Sequence, residues 1–165
     1  NELCWYAAKG DPHWDETGVM MMVDGEQKLM KGLWLRKKSA ILTYLKNVEH
    51  YPAYLSWEDL KAAYWSSATA THDDCRNQES SYQVRTVTPS QGRPTNTTDY
   101  FFLPAMGYIS VNMNWHFNYN GLYWSSSSGT FRPDYAWHMD FNKVSVTVEG
   151  TNVSRDHGGR AIAFE

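Results

Sequence analysis

The sequence predicts an α+β fold, with about two helices in the N-terminal half and short antiparallel strands in a loop-rich, strand-rich C-terminal half. Three observations carry that expectation. Ser56-Trp57-Glu58-Asp59 sets a hydroxyl three residues before a carboxylate, ahead of Leu60, Ala62 and Ala63, which is the signature of a capped helix start. Asp24-Gly25 separates two apolar runs in the manner of a hairpin turn. From Tyr100 onward, short alternating segments succeed one another between turn residues.

The elements follow in order. Residues 2–8, with Leu3, Cys4, Trp5 and Tyr6 in succession, read as a buried strand ended by Gly10-Asp11-Pro12. Residues 19–23 form an apolar run with three consecutive Met residues, and the return over 28–35 sets Leu29, Leu33 and Leu35 among Lys residues as a second strand. Residues 39–48 carry Ile41, Leu42 and Leu45 at helical spacing. After the capped helix, residues 66–80 are small and polar and read as a loop. Residues 82–87 alternate as a half-buried strand does, and 90–98, rich in Gly, Pro, Asn and Thr, are a loop. Tyr100 to Leu103 is an apolar run, Pro104 to Tyr108 turns the chain, and 122–128 are strand-like. Residues 136–142 set Ala136, His138 and Asp140 against Trp137, Met139 and Phe141, and 143–148 alternate Val with Ser and Thr. Each of these two segments is expected to have one wet and one dry face. The echo of Tyr64-Trp65-Ser66-Ser67 in Tyr123-Trp124-Ser125-Ser126 is too short to be a repeat architecture.

At 165 residues the chain fits one domain, residues 1–165, with a sizeable core. A net charge of −3 gives no broad electrostatic reason to bind nucleic acid or an acidic membrane, and no apolar run is long enough to span a bilayer. The aromatic share is high at 15%, more rings than one core easily hides, so some are expected at a recognition surface. The chain opens at Asn1 without an initiator Met or a cationic leader, and is expected to be the C-terminal piece of a longer exported protein. Cys4 and Cys75 could form one long-range bridge or be two buried thiols. The sequons at Asn96 and Asn152 matter only in a host that glycosylates them.

Three ordered strings are distinctive: Phe102-Leu103-Pro104-Ala105-Met106-Gly107-Tyr108, then Gly121-Leu122-Tyr123-Trp124-Ser125-Ser126-Ser127, then Ala136-Trp137-His138-Met139-Asp140-Phe141-Asn142. They cover roughly the last 65 residues as an ordered set of motifs, well beyond a lone short pattern. The set resembles the C-type-lectin-like domains of Bacteroidetes surface proteins, of the Fibrobacter-succinogenes major paralogous domain type. It is similar also to retroelement-diversified variable proteins, some of which sit at pilus tips. The leading half, with Cys4-Trp5-Tyr6 and Gly10 to Trp14, matches more weakly. Near the end, Ile162 stands where relatives commonly carry Arg, which leaves the detail of the last strand open.

The resemblance implies a lectin-like fold with a binding part over about 107–160. Carried across position by position, it implies contact residues at Ile109, Ser110, Asn112, Trp115, His116, Tyr119, Asn120 and Leu122. It continues them through Phe131, Arg132, Asp134, Tyr135, His138 and Asp140, then Thr151, Ser154, Arg155, Asp156 and His157. Leu103-Pro104-Ala105, Tyr123-Trp124-Ser125, Met139 and Phe141 are expected to be framework. At least two of Trp115, His116 and Tyr119 are expected to be exposed, since aliphatic residues are few around them.

Other chemistry finds less support. His72-Asp73-Asp74-Cys75 is dense in ligand atoms, but adjacent residues rarely converge on one metal; Asp11, His13 and Asp15 are interrupted by Pro12 and Trp14. Calcium-dependent lectins use Glu-Pro-Asn or Gln-Pro-Asp strings, and the nearest segment here is Arg132-Pro133-Asp134. No nucleophile elbow, phosphate loop or dinucleotide fingerprint is present, and no Cys follows Cys75. The expectation is a non-enzymatic, cofactor-free, metal-free recognition domain at the bacterial cell surface. Its ligand would be a protein or glycan on another cell or host surface, with pilus subunits as further partners and neither nucleic acid binding nor membrane insertion. A carbohydrate-processing enzyme on the same scaffold and a structural pilin module are the rival readings.

Overall fold

A computed structural model of the chain describes residues 2–62, 85–108, 116–128, 134–150 and 154. Within them lie three helices and eight strands in two sheets. They are α1 (Glu2–Lys9), β1 (His13–Val23), β2 (Glu26–Arg36), α2 (Lys38–Asn47), α3 (Trp57–Ala62), β3 (Arg85–Val87), β4 (Ser90–Gln91), β5 (Tyr100–Pro104), β6 (Asn120–Ser128), β7 (Ala136–Asn142) and β8 (Val146–Glu149). The first sheet runs β4-β1-β2-β5 and the second β3-β8-β7-β6. Among the described strands β4 joins its neighbour in parallel and the others pair antiparallel; an isolated parallel bridge also joins Gly107 to Gly121. The fold is therefore α+β, as expected. No helix among the described residues is long and apolar enough to cross a membrane.

The first element corrects the reading of residues 2–8 as a strand. They form α1, with Glu2 in its first turn and Lys9 in its last, where both complement the helix dipole. Leu3, Tyr6 and Ala7 fall on one helical face and are buried, and Trp5 is buried beside them. The Trp5 indole donates to the Leu60 carbonyl at 2.6 Å, which ties α1 to α3 and satisfies a polar atom that burial would otherwise strand. Four successive apolar residues have no period, so the local pattern does not separate helix from strand and long-range packing weighs in the outcome.

Local signals elsewhere act as expected. Asp24 and Gly25 both take positive φ (53° and 82°), the twist that joins β1 to β2. At α3 the Ser56 Oγ accepts from the Asp59 N–H at 3.2 Å while the Ser56 N–H donates to the Asp59 carboxylate at 2.8 Å. The Ser56 hydroxyl, which also donates to that carboxylate at 2.6 Å, and the Ser56 N–H together hold the Asp59 carboxyl below its usual range. Residues 90–98, expected to be all loop, contribute β4 and lead into a 3-10 turn at Thr97–Asp99. Residues 143–145 are a turn instead of the start of a strand. Asn142 Oδ1 accepts from the N–H groups of Val144 (2.8 Å) and Ser145 (3.0 Å), and β8 begins only at Val146.

The core lies between the sheets and under α1. Leu33 and Leu35 of β2, Leu103 of β5, Tyr123 of β6, Met139 and Phe141 of β7 and Val148 of β8 meet Trp5 and Tyr6 there. Burying each such side chain stabilises the fold by about 1.5–3 kcal/mol. Tyr123 also bridges the sheets, its phenol donating to the Pro104 carbonyl at 2.6 Å. Of the expected framework residues, Leu103, Pro104, Ala105, Tyr123, Met139 and Phe141 are buried, while Trp124 and Ser125 are half-buried.

One irregularity shapes the first sheet. Between Asp15 and Val19, β1 advances four residues while β2 advances only two, from Gly32 to Met30. The fully buried Asp15 carboxylate organises this bulge. One oxygen accepts from the Thr17 N–H (3.0 Å), the Thr17 hydroxyl (2.5 Å) and the Gly18 N–H (3.1 Å). The other accepts from the Trp34 indole (3.0 Å) and Arg93 Nε (2.8 Å). Burial alone would raise the Asp15 pKa, yet these donors hold the carboxyl well below the usual range.

Candidate functional site

Register decides what stands together on the second sheet. Leu122 lies opposite Asp140, Trp124 opposite His138, His138 opposite Glu149, and Asp140 opposite Thr147. Directly opposed residues share a face. One face therefore carries Asn120, Leu122, Trp124, His138, Asp140, Thr147 and Glu149, while Tyr123, Met139, Phe141, Val146 and Val148 point to the core. Four expected contact residues, Asn120, Leu122, His138 and Asp140, are thus gathered on the outer face.

That face is not the open wet surface that alternation alone suggests. Leu122 is 2% exposed and His138 is fully buried. These two expected contact residues lie inside, because Leu122 gains by leaving water and His138 packs edge-on to Trp124, with ring centroids 5.4 Å apart. His138 Nδ1 lies 3.2 Å from the Ala136 carbonyl, and Nε2 lies 3.8 Å from Glu149 Oε1. Asn120 and Asp140 are half-buried. Three buried atoms, Asn120 Oδ1, His138 Nε2 and Asp140 Oδ1, have no hydrogen-bond partner among the described residues. Burial pushes the Asp140 carboxyl up; the Glu149 charge adds to this, and His138 and the Phe141 N–H oppose it. Orphaned buried polar atoms cost stability, and such sites suit a ligand or water that supplies the missing bonds.

A tight turn at 116–119 leads into β6 at Asn120. His116 and Tyr119 are exposed, Tyr119 by 76%, so two of the three rings expected outside are outside. Phe117 is exposed beside them. The turn is held by Asn118, a residue that sequence reasoning passed over. Its backbone takes φ +64°, its N–H donates to the Ala105 carbonyl (2.8 Å), and its side-chain oxygen accepts from the Lys31 N–H (2.8 Å). Gly107, at φ +69°, lies so close under His116 that a Cβ would come within 2.7 Å of its nitrogen. At another edge, Tyr135 bridges to Ser154, and the Ser154 hydroxyl donates to the Asp134 carbonyl at 3.4 Å. Asp134 is exposed and Tyr135 half-buried.

Ile109, Ser110, Asn112, Trp115, Phe131, Arg132, Thr151, Arg155, Asp156 and His157 lie outside the described residues, as do the 66–80 loop, Cys75 and the last strand. Trp124, Thr147 and Glu149 were missed as site residues. Trp124 stands in a framework motif, and only the register of β7 against β6 and β8 shows that all three share the face. Cys4 is half-buried on α1 and packs against the core. Among the described residues no group of three or more His, Cys, Asp or Glu is arranged to hold a metal ion.

Compared with protein-family models, with curated proteins and with solved structures, the chain matches none.

Proposed function

We propose that the chain is a recognition domain of an exported bacterial surface protein, built on a C-type-lectin-like fold and placed at or near a pilus tip. It binds a protein or glycan on another cell or host surface through the outer face of the second sheet and the turns at its rim. The observation that carries this reading is the convergence of Asn120, Leu122, His138 and Asp140 on one face with orphaned polar atoms, with His116, Phe117 and Tyr119 exposed on the turn that leads into β6. The three ordered sequence motifs support the fold assignment. Binding would follow the usual division of labour, with aromatic anchors excluding water and Asn and Asp groups setting orientation. Leu122 and His138 then serve as the support beneath the contact layer.

The test is a screen of the immobilised domain against a glycan array and a panel of purified surface proteins. Each ligand found is titrated against Tyr119→Ala, Asp134→Ala and the double variant. The reading expects affinity to fall by about tenfold or more at the anchor, with Tm unchanged. A ligand that all three variants bind as well as the parent removes the rim from the site. Chemical conversion of a bound glycan would instead favour the enzyme alternative.

A further inference from the structure

The first sheet carries a second concavity, apart from the face just described. It is a groove of about 560 Å³ between α2 and residues 94–100, within the range of small-ligand sites. At its floor Asp11 is the hub. Its Oδ2 accepts from Arg36 Nη2 at 2.8 Å and from the Tyr100 hydroxyl at 2.7 Å, with His13 Nε2 at 3.5 Å. The Arg36 guanidinium also lies 4.7 Å from the centre of the Tyr44 ring. The floor's charge is therefore committed internally, to a carboxylate and a ring, and offers an incoming anion little.

The walls are of another character. Ser39, Thr43 and Asn47 recur every four residues along α2, all exposed, and line the groove together with Tyr44; the Thr43 hydroxyl donates to the Ser39 carbonyl at 2.8 Å and so faces the groove as an acceptor. The charged residues of this helix, Lys38 and Lys46, do not line it. Thr95, Asn96 and Asp99 line the facing wall; the exposed Asp99 carboxylate accepts from Asn96 Nδ2 at 2.9 Å, repels an anion and is an acceptor for a hydroxyl. An exposed helix face usually carries Lys and Glu; this one presents hydroxyls, an amide and an aromatic ring whose position is fixed by Arg36. Such a lining matches a ligand that is uncharged, rich in hydroxyls and apolar on its C–H faces.

We propose that the groove between α2 and residues 94–100 is a binding site for an uncharged saccharide, whose C–H face lies on Tyr44 and whose hydroxyls pair with Ser39, Thr43, Asn47 and Thr95. The proposal does not depend on the reading of the second sheet. It is tested by titrating the isotope-labelled chain, followed by amide NMR, with methyl glycosides of glucose, mannose, galactose and N-acetylglucosamine, with cellotriose and mannotriose, and with the anionic sialyllactose. Probe concentrations reach about 20 mM, above the roughly millimolar Kd expected of a single-sugar site. Saturable shifts confined to residues 39–48 and 94–100, weakened about tenfold or more in Tyr44→Ala and in the surface variant Thr43→Glu, support it. Thr43→Glu lies on an exposed helix face and keeps the test valid if Tyr44→Ala misfolds. The proposal is overturned if no neutral sugar moves those amides, if sialyllactose binds in preference, or if Thr43→Glu binds as well as the parent.

Discussion

Replacing Asp15 with Ala should be among the most damaging single changes in the molecule, and the loss can be worked from its five donors. Two of them, the buried Gly18 N–H and the indole of the half-buried Trp34, have little access to water once the carboxylate is gone. An orphaned buried donor costs about 1–3 kcal/mol, so the pair costs about 2–6 kcal/mol. The Arg93 side chain is 45% exposed and rehydrates, adding little. About 4 kcal/mol is the central expectation, or a fall in Tm of roughly 8–16 °C for a domain of this length. Arg93→Ala should cost less, about 1–3 kcal/mol, because Asp15 keeps its other donors. Thermal and urea unfolding of both variants measure this. A loss at Asp15 below about 1 kcal/mol, or smaller than that at Arg93, would refute the view of the carboxylate as the brace of the bulge. The pH dependence gives a second check. Because the folded-state pKa lies below the unfolded value of about 3.9, the contribution is present above that pH and is lost as pH falls through the folded value. Asp15→Asn should therefore flatten the acid limb of the stability curve.

Three further outcomes follow from the same geometry. Asp140→Asn should raise Tm at pH 7 and lose that advantage below about pH 4, since a carboxyl with a raised folded pKa opposes folding only where the unfolded chain is ionised; equal Tm values across that range would contradict the orphaned state of Oδ1. Tyr123→Phe should cost about 0.5–1.5 kcal/mol by removing one of two bonds to the Pro104 carbonyl, which keeps the Met106 N–H at 2.9 Å; urea unfolding reads this, and a neutral result would mean the sheets do not depend on the phenol bond. Gly121→Ala should destabilise by about 1–3 kcal/mol, because a Cβ there would meet the Phe141 ring at 2.3 Å. Phe141→Leu in the same chain should recover part of that loss, and strictly additive losses would show that the two sites do not touch.

The parts of this fold that could be read from sequence are those whose causes are local. The Asp24-Gly25 turn and the Ser56–Asp59 cap are decided within four residues by φ preference and short-range hydrogen bonds. Residues 2–8 failed that condition, since Trp5 finds its partner Leu60 across 55 positions, and a run without period leaves helix and strand equally open. Asp15 read as one of several alternating polar residues; its meaning depends on Arg93, 78 positions away. At the candidate site, Tyr123, Met139 and Phe141 read as framework and are buried, whereas Trp124, read with them, stands on the outer face. Which polar residues would join them was not legible, because pairing Trp124 with His138 and Leu122 with Asp140 is a matter of register. The burial of Leu122 and His138 follows from that pairing and was invisible beforehand.

Asn118 separates support from content at the rim. The 116–119 turn is fastened to the first sheet by one amide, which bonds to the Lys31 N–H and the Leu29 carbonyl, and by the backbone bond to Ala105. None of these fastenings uses the side chains of His116, Phe117 or Tyr119. The turn thus works as a socket with an interchangeable fitting: the exposed position 119 can change chemistry while a single asparagine keeps the mount in place. A library randomised at 119 should retain folding in most members, whereas changing Asn118 alone should release the turn in every one of them.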